Sequence, residues 1–540
     1  MTTTSGHTQS SDRQTSAQEQ DRARAIVDRR RFLGMSFGAV LTGPALLAAC
    51  GGSTKGDRVT DRHRDGILRI GVAGAPGNIN PLDSGSELTQ WPAEAIMESL
   101  YTYDEELNSV PLLAAGEPVI SADRLTWTIP LRQDVEFHNG DAFNAHHVVS
   151  TLDHLLDLSS GSEWITYLID YVQWFEAADD HTVTIGLAKP YGLLRSHLTN
   201  LPMGHTDFVA RRDAMMGTGP YRLTDHKPGQ SYTLTRYDGY HGSAPSFAGV
   251  EYSVFVDGGT RLLTLQQGRV DLITSLPHTN LKTVERDEDL VLIRAEAPLD
   301  VLTYVNLHAE PFSDENFRRA VAVSMDRAGV KDRVFGGHAT IGQGPIGPAQ
   351  KGWDPDLEVF SAEADLAEAE RLLARARTDR RDFTITVGTT QVGRDIATVL
   401  AAGWKELGLD VTIEQLTGGP WSSRWLANEY EMLMNMFQSG FTSGPANYMT
   451  LSPADSRSLL SCGFEDPEVD QWIDVIWQTE DDVERTEALT RLNQRLAEEA
   501  VMFPPVYSEL LMAQRRELSP VDPDGLRISR LRPQHLSFTT

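Results

Sequence analysis

The chain has 540 residues, with 48 basic against 76 acidic side chains and a formal charge of −28 at pH 7. That balance excludes the basic patches needed to displace counterions from nucleic-acid phosphates, and it favours a soluble monomer. The length exceeds what one hydrophobic core organises, which predicts two or three lobes with a cleft between them.

The first element is an address. Arg29-Arg30-Arg31-Phe32-Leu33 leads into an uncharged run ending Leu47-Ala48-Ala49-Cys50. Basic residues, a short apolar run and small residues before a cleavage point describe a secretory signal, and the paired arginines resemble a twin-arginine export signal. The run contains Gly34, Gly38, Thr42, Gly43 and Pro44, so it makes a poor spanning helix, which wants ~20 strongly apolar residues. Its last four residues resemble a bacterial lipobox. Residues 1–49 are therefore expected to be removed and Cys50 to carry the lipid that ties an extracytoplasmic body to the cell membrane. Residues 50–64, the lipidated cysteine and a run rich in Gly, Ser, Thr and charge, read as a flexible tether. With Cys50 lipidated only Cys462 remains, so no intrachain disulfide and no multi-cysteine metal site can form.

In the body, Ile67 to Val72 is a short apolar strand running into the turn Ala73-Gly74-Ala75-Pro76-Gly77-Asn78. Ligands of α/β proteins tend to sit at such strand ends. Leu125, Trp127, Ile129 and Leu131 alternate as in a half-buried strand, and Val135 and Phe137 are expected to continue it. Asn144 is placed to cap a helix whose Val148, Val149, Leu152, Leu155 and Leu156 recur at helical spacing. Strands follow at Val183 to Leu187, Tyr232 to Leu234 and Tyr252 to Val256, and Gly217-Thr218-Gly219-Pro220-Tyr221 enforces a turn. Ala364 to Ala376 reads as a helix. Phe383 to Val387, a helix from Asp395 to Leu407, Gly408 as its C-cap and Val411 to Ile413 then read as a βαβ crossover.

Several of these segments carry a resemblance when taken in order. Met97-Glu98-Ser99-Leu100-Tyr101, Pro111-Leu112-Leu113-Ala114, Leu125-Thr126-Trp127-Thr128-Ile129 and Leu131-Arg132-Gln133-Asp134-Val135-Glu136-Phe137-His138-Asn139-Gly140 are followed by Gly217-Thr218-Gly219-Pro220-Tyr221. Val305-Asn306-Leu307, Pro311-Phe312, Phe317-Arg318-Arg319-Ala320 and Asp326-Arg327 complete the set. Together they resemble the extracytoplasmic solute-binding proteins of family 5, the peptide and nickel receptors of ABC importers, over residues 67 to 515. The resemblance implies an α/β, periplasmic-binding-protein-like fold of three lobes, type II and cluster C in kind, with the ligand cleft between two main lobes. Lobe I would comprise 65–95, 217–300 and 506–540, the intermediate lobe II 96–216, and lobe III 301–505. Such a chain captures a small solute, a peptide or peptide-like one first of all, and hands it to a membrane permease without a chemical step.

Peptide-binding relatives place an aspartate after a Tyr-Asp-type strand of the third lobe to meet the peptide's amino terminus. In Tyr430-Glu431-Met432-Leu433-Met434-Asn435-Met436-Phe437-Gln438-Ser439-Gly440-Phe441 that place falls at Gly440, and no residue from Phe437 to Met449 is acidic. A buried ammonium without a carboxylate is expensive. Either another acid supplies the charge or the solute has no amino terminus, as in an opine, a glycoside or a chelated metal. Trp421 and Phe437 match aromatic positions of the relatives' cleft. Phe441, Asn447 and Tyr448 continue the same aromatic and polar mixture, which suits a pocket wall. Thr389, Gln391 and Arg394 follow the end of the Val387 strand, where Arg394 could hold a ligand carboxylate through a bidentate pair, and Asn78 closes the first turn.

His138, His146, His147 and His154 read as structural or solvated, because a two-turn spacing is too wide for one small ion. Gly342-Gln343-Gly344-Pro345-Ile346-Gly347 reads as a loop and not a dinucleotide fingerprint, since Pro348 follows where a helix should open. No cofactor and no enzyme motif is expected. An exported hydrolase working in the cleft is the rival from another class, and a surface sensor differs from a receptor only in its partner.

Overall fold

The computed structural model describes residues 66–540 except 75–77, 84–86, 105–107, 158, 161, 163, 165–167, 389, 417–419, 422–423, 426, 439–461, 528–529 and 540. Its largest element is a mixed sheet of eleven strands. In chain order these are β1 (Ile67–Val72), β2 (Tyr221–Lys227), β3 (Ser231–Arg236), β4 (Gly249–Val254), β5 (Leu272–Ile273), β6 (Leu290–Val305), β7 (Ala339–Ile341), β8 (Asp382–Val387), β9 (Asp410–Gln415), β10 (Met432–Gln438) and β11 (Val506–Arg515). In space they run β9-β8-β10-β6-β11-β5-β1-β4-β3-β2, with β7 on β11.

The two long strands in the middle serve both halves of this sheet. The first part of β6, from Leu290, pairs with the last part of β11, while Leu299–Val305 pairs with β10 on its other side. The β6–β11 register shifts between Glu296 and Leu299, an irregularity that bends a strand and sharpens its twist.

The βαβ crossover is present. β8 and β9 are parallel in the register Asp382↔Asp410 to Val387↔Gln415, joined by the helix Gln391–Glu406. Phe383, Ile385 and Val387 point to one face, where they share a core with Ile396, Ala397, Leu400 and Trp404 of that helix. The alternate residues Thr384, Thr386, Thr412 and Glu414 stand on the opposite face.

Residues 119–187 contain a separate four-stranded antiparallel sheet, in the order Val119–Ile120, Thr126–Pro130, Thr182–Leu187, Val172–Asp179. A helix we label α1 (Ala145–Leu156) is capped by Asn144 as its sequence predicts. The strand through Trp127 ends at Pro130. Val135 and Phe137, expected to extend it, are buried in irregular backbone instead: alternation there reflects burial without a ladder. The strand through Tyr252 likewise stops at Val254, leaving Val256 81% exposed.

Candidate ligand site

At the end of β8 the chain passes Gly388 into a helix that begins four residues earlier than the apolar period suggested. The Thr390 side chain accepts a hydrogen bond from the Gly393 N–H and caps it. Gln391 and Arg394 therefore sit in the first turn of this helix, α2 (Gln391–Glu406), both exposed. Gln391 Nε2 donates to Asp395 Oδ1 at 2.7 Å. The Arg394 guanidinium is in no hydrogen bond or ion pair among the described residues.

Trp421 and Trp425 lie in helical backbone beyond β9, half-buried against the main core. Their ring centroids are 5.4 Å apart at 44°. Each buries its indole N–H without an acceptor among the described residues. Buried donors are almost always paired in folded proteins, so two neighbouring orphans mark a place that gains from a hydrogen-bond acceptor.

β10 carries the backbone of Phe437, opposite Asp300 of β6. Gly440, Phe441, Asn447, Tyr448 and Thr389 lie outside the described residues, as does Cys50. Asn78 is committed locally. Its amide donates to Asp83 Oδ2 at 2.7 Å and its carbonyl oxygen accepts the Asn80 N–H at 3.0 Å. Asp83 also meets His154 at 2.7 Å and Arg212 at 3.4 Å.

The polar face of β8 and β9 opens into a groove of about 690 Å3 that the sequence reading did not single out. Glu414 pairs there with Arg424 and accepts from Thr386 Oγ1. Deeper along the strands, Glu431 pairs with Arg380 at 2.7 Å and accepts the Thr384 N–H. Hydrogen bonding to Asp382 and Glu431 raises the Arg380 pKa further, against the opposing effect of burial. The signal was the alternation Thr384/Thr386 and Thr412/Glu414 on strands whose other face is apolar, but only pairing shows that these residues face Arg424 and Glu431. The groove borders the segment that carries both tryptophans.

Of His138, His146, His147 and His154, His146 is exposed, and the other three are bonded within the fold. His138 Nε2 bonds the Gly219 carbonyl at 2.9 Å, and burial lowers its pKa to about 4. His147 accepts the Asn144 N–H in the cap of α1 and is lowered to about 4, first by burial and then by His205. Among the described residues no group of His, Cys, Asp or Glu could hold a metal ion.

The α/β sheet thus has two halves that share its two long strands, with polar and aromatic groups near its strand ends. Residues 108–458 match the bacterial extracellular solute-binding proteins, family 5, and the chain belongs to that family. A glutathione-binding protein of Pectobacterium atrosepticum is 26% identical over 321 residues, 58% of this chain and 61% of the relative. The Helicobacter pylori ABC transporter-associated periplasmic binding protein in complex with the peptide STSA superposes with a TM-score of 0.77 at 18% identity, covering 89% of this chain and 99% of that one. The Agrobacterium binding protein in complex with agropinic acid superposes with a TM-score of 0.75 at 20% identity, covering 88% and 99%. The fold is that of these periplasmic binding proteins.

Proposed function

We propose that this chain is the lipid-anchored receptor of an ABC importer, which captures a peptide or peptide-like solute outside the membrane and delivers it to a permease. The observation that carries this is the pair β6 and β11, the strands common to both halves of the sheet, with the register shift at Glu296 and Leu299 as the point where they bend. Two bodies joined by such strands rotate towards each other, and a solute drives closure by its higher affinity for the closed state.

In this reading lobe I is 65–95, 217–300 and 506–540, lobe II is 96–216, and lobe III is 301–505. The site lies between lobes I and III, with Trp421 and Phe437 as walls, the orphaned indole N–H groups as donors, and Arg394 at the rim for a carboxylate. The protein performs no chemical step, and Cys50 holds it to the cell membrane. A second reading, a non-peptide solute such as an opine, is favoured by one observation: the stretch from Phe437 to Met449 contains no acid to meet an ammonium.

A thermal-shift titration separates the two. At about a hundredfold its Kd a ligand adds ~2.7 kcal/mol of stability. Defined di-, tri- and longer peptides, added after co-purified solute has been removed by unfolding and refolding, raise the melting temperature of a peptide receptor. A flat response to all of them, with a rise on an opine, transfers the assignment to the second reading.

A further inference from the structure

Residues 96–216 are fastened to the sheet half containing β1 to β5 by an extensive junction. Glu98, only 6% exposed, accepts from Thr218 Oγ1 at 2.7 Å, Tyr240 OH at 3.1 Å and His241 Nε2 at 2.8 Å. Tyr237 OH donates to the Phe137 carbonyl, and Arg530 of the C-terminal tail joins Glu94 to the Thr199 carbonyl. Burial of these groups makes the junction costly to open.

The same segment also touches the opposite half, and there the contact is of another kind. The helices α3 (Pro467–Gln478) and α4 (Asp482–Glu498) belong to that half. Asn493 of α4 accepts the Ile346 N–H at 2.9 Å, and Ala497 lies in the core under β8 and β10. The turn between α3 and α4 is gripped from across. Trp477 stacks on Tyr171 (5.6 Å, 11°) and on Tyr191 (5.9 Å, 20°), which stack on each other at 4.0 Å and 14°. The Gly192 N–H donates to the Trp477 carbonyl at 2.9 Å, Arg124 Nη1 reaches the Gln478 carbonyl at 3.4 Å, and Arg485 Nη2 the Gly192 carbonyl at 3.4 Å. Gly192 lies so close that a Cβ there would stand 1.8 Å from the Thr479 carbonyl oxygen.

We propose that this clasp is a closure latch. The intermediate lobe, carried by lobe I, takes hold of the α3–α4 turn of lobe III when the trap shuts and releases it when the trap opens. The contact consists of stacked rings, buried in one core with Ile473 and Ile476 of α3 and Leu193 and Leu194 of the intermediate lobe, and a few hydrogen bonds to backbone carbonyls; the stacking adds modestly to that burial. Because the intermediate lobe is tied to lobe I through Glu98, a rotation of lobe III away from lobe I parts this contact, and its strength biases the opening equilibrium. The latch gives lobe II a role in capture although it contributes no residue to the proposed cleft, and it rests on the lobe division proposed above.

The test is pulsed electron–electron resonance between nitroxides on Val119→Cys and Val483→Cys, both exposed sites on either side of the clasp. It uses the full chain carrying Cys50→Ser, freed of solute, with the remaining Cys462 buried. The parent is expected to show a short and a long distance. Trp477→Ala and Gly192→Leu should each lower the short-to-long ratio by about tenfold while a single cooperative melting transition is retained. Unchanged distances with a lower melting temperature would mean a permanent interface, and a parent with the long distance alone would mean a clasp not made in solution. Either overturns the proposal. Should Trp477→Ala fail to fold, Trp477→Leu and Gly192→Ala repeat the comparison with milder changes. No solute enters the assay, so its failure leaves the receptor reading standing, and a failed solute titration leaves the latch standing.

Discussion

Trp421 shows how a single side chain links stability to binding. Its ring is packed against the core, so removing it whole would confuse lost packing with lost recognition. Trp421→Phe deletes only the orphaned N–H and a part of the ring. The expected outcome is a melting temperature at or near that of the parent and a solute affinity lower by about tenfold, the worth of one hydrogen bond, read by calorimetric titration; equal affinity would place that N–H outside the ligand's reach. His138 provides a pH reading. Burial holds its pKa at about 4 against an ordinary value of 6.5. The unfolded chain therefore binds the proton first as pH falls, and the group's contribution to stability is full above about 6.5 and is lost towards 4. His147, buried, and His278, half-buried, are both also lowered to about 4, chiefly by desolvation, and act in the same direction. The melting temperature should fall across that window, and less steeply in His138→Gln. Identical slopes would show that His138 does not contribute.

Among the elements, the βαβ unit and the junction at Glu98 make separable predictions. Gly408, after the end of α2, has φ +74°, and a Cβ there meets nothing within 4 Å. Gly408→Ala thus changes backbone strain alone and should cost ~1 kcal/mol, measured by urea denaturation with an unchanged m-value. Glu98→Ala is different, because it strands three buried donors at once. A loss of ~3 kcal/mol or more is expected, and a loss below ~1 kcal/mol would show that water replaces the carboxylate. The Glu98 motif was visible in the sequence as one of the blocks carrying the family resemblance. Its partners Tyr240 and His241 were not, because they lie more than a hundred residues along the chain.

On the scale of the whole molecule, the proposed anchor is testable apart from the hinge and the latch. Cys50→Ala should move the protein from the membrane fraction to the soluble extracytoplasmic fraction, and its retention in membranes would refute the lipid anchor. The strongly acidic chain is expected to remain soluble once released. Among the described residues no helix is long and apolar enough to cross a membrane.

What the sequence determined by itself was local or ordered along the chain. Strand alternation, the Asn144 cap, Gly408 after its helix and the succession of family blocks each depend on a few neighbouring residues, and the class of protein followed from them. Even so, the apolar period places the start of α2 four residues late, because Thr390 caps a first turn that is polar and outside that period. The tertiary structure alone decided which distant segments meet. It alone tied Asp83 to His154, set Glu431 against Arg380, and brought Trp477 onto Tyr171 and Tyr191, about three hundred residues upstream. Side-chain type records that a residue can stack, pair or accept a proton. Its partner is chosen by strand order and register, which arise from burial across the whole sheet.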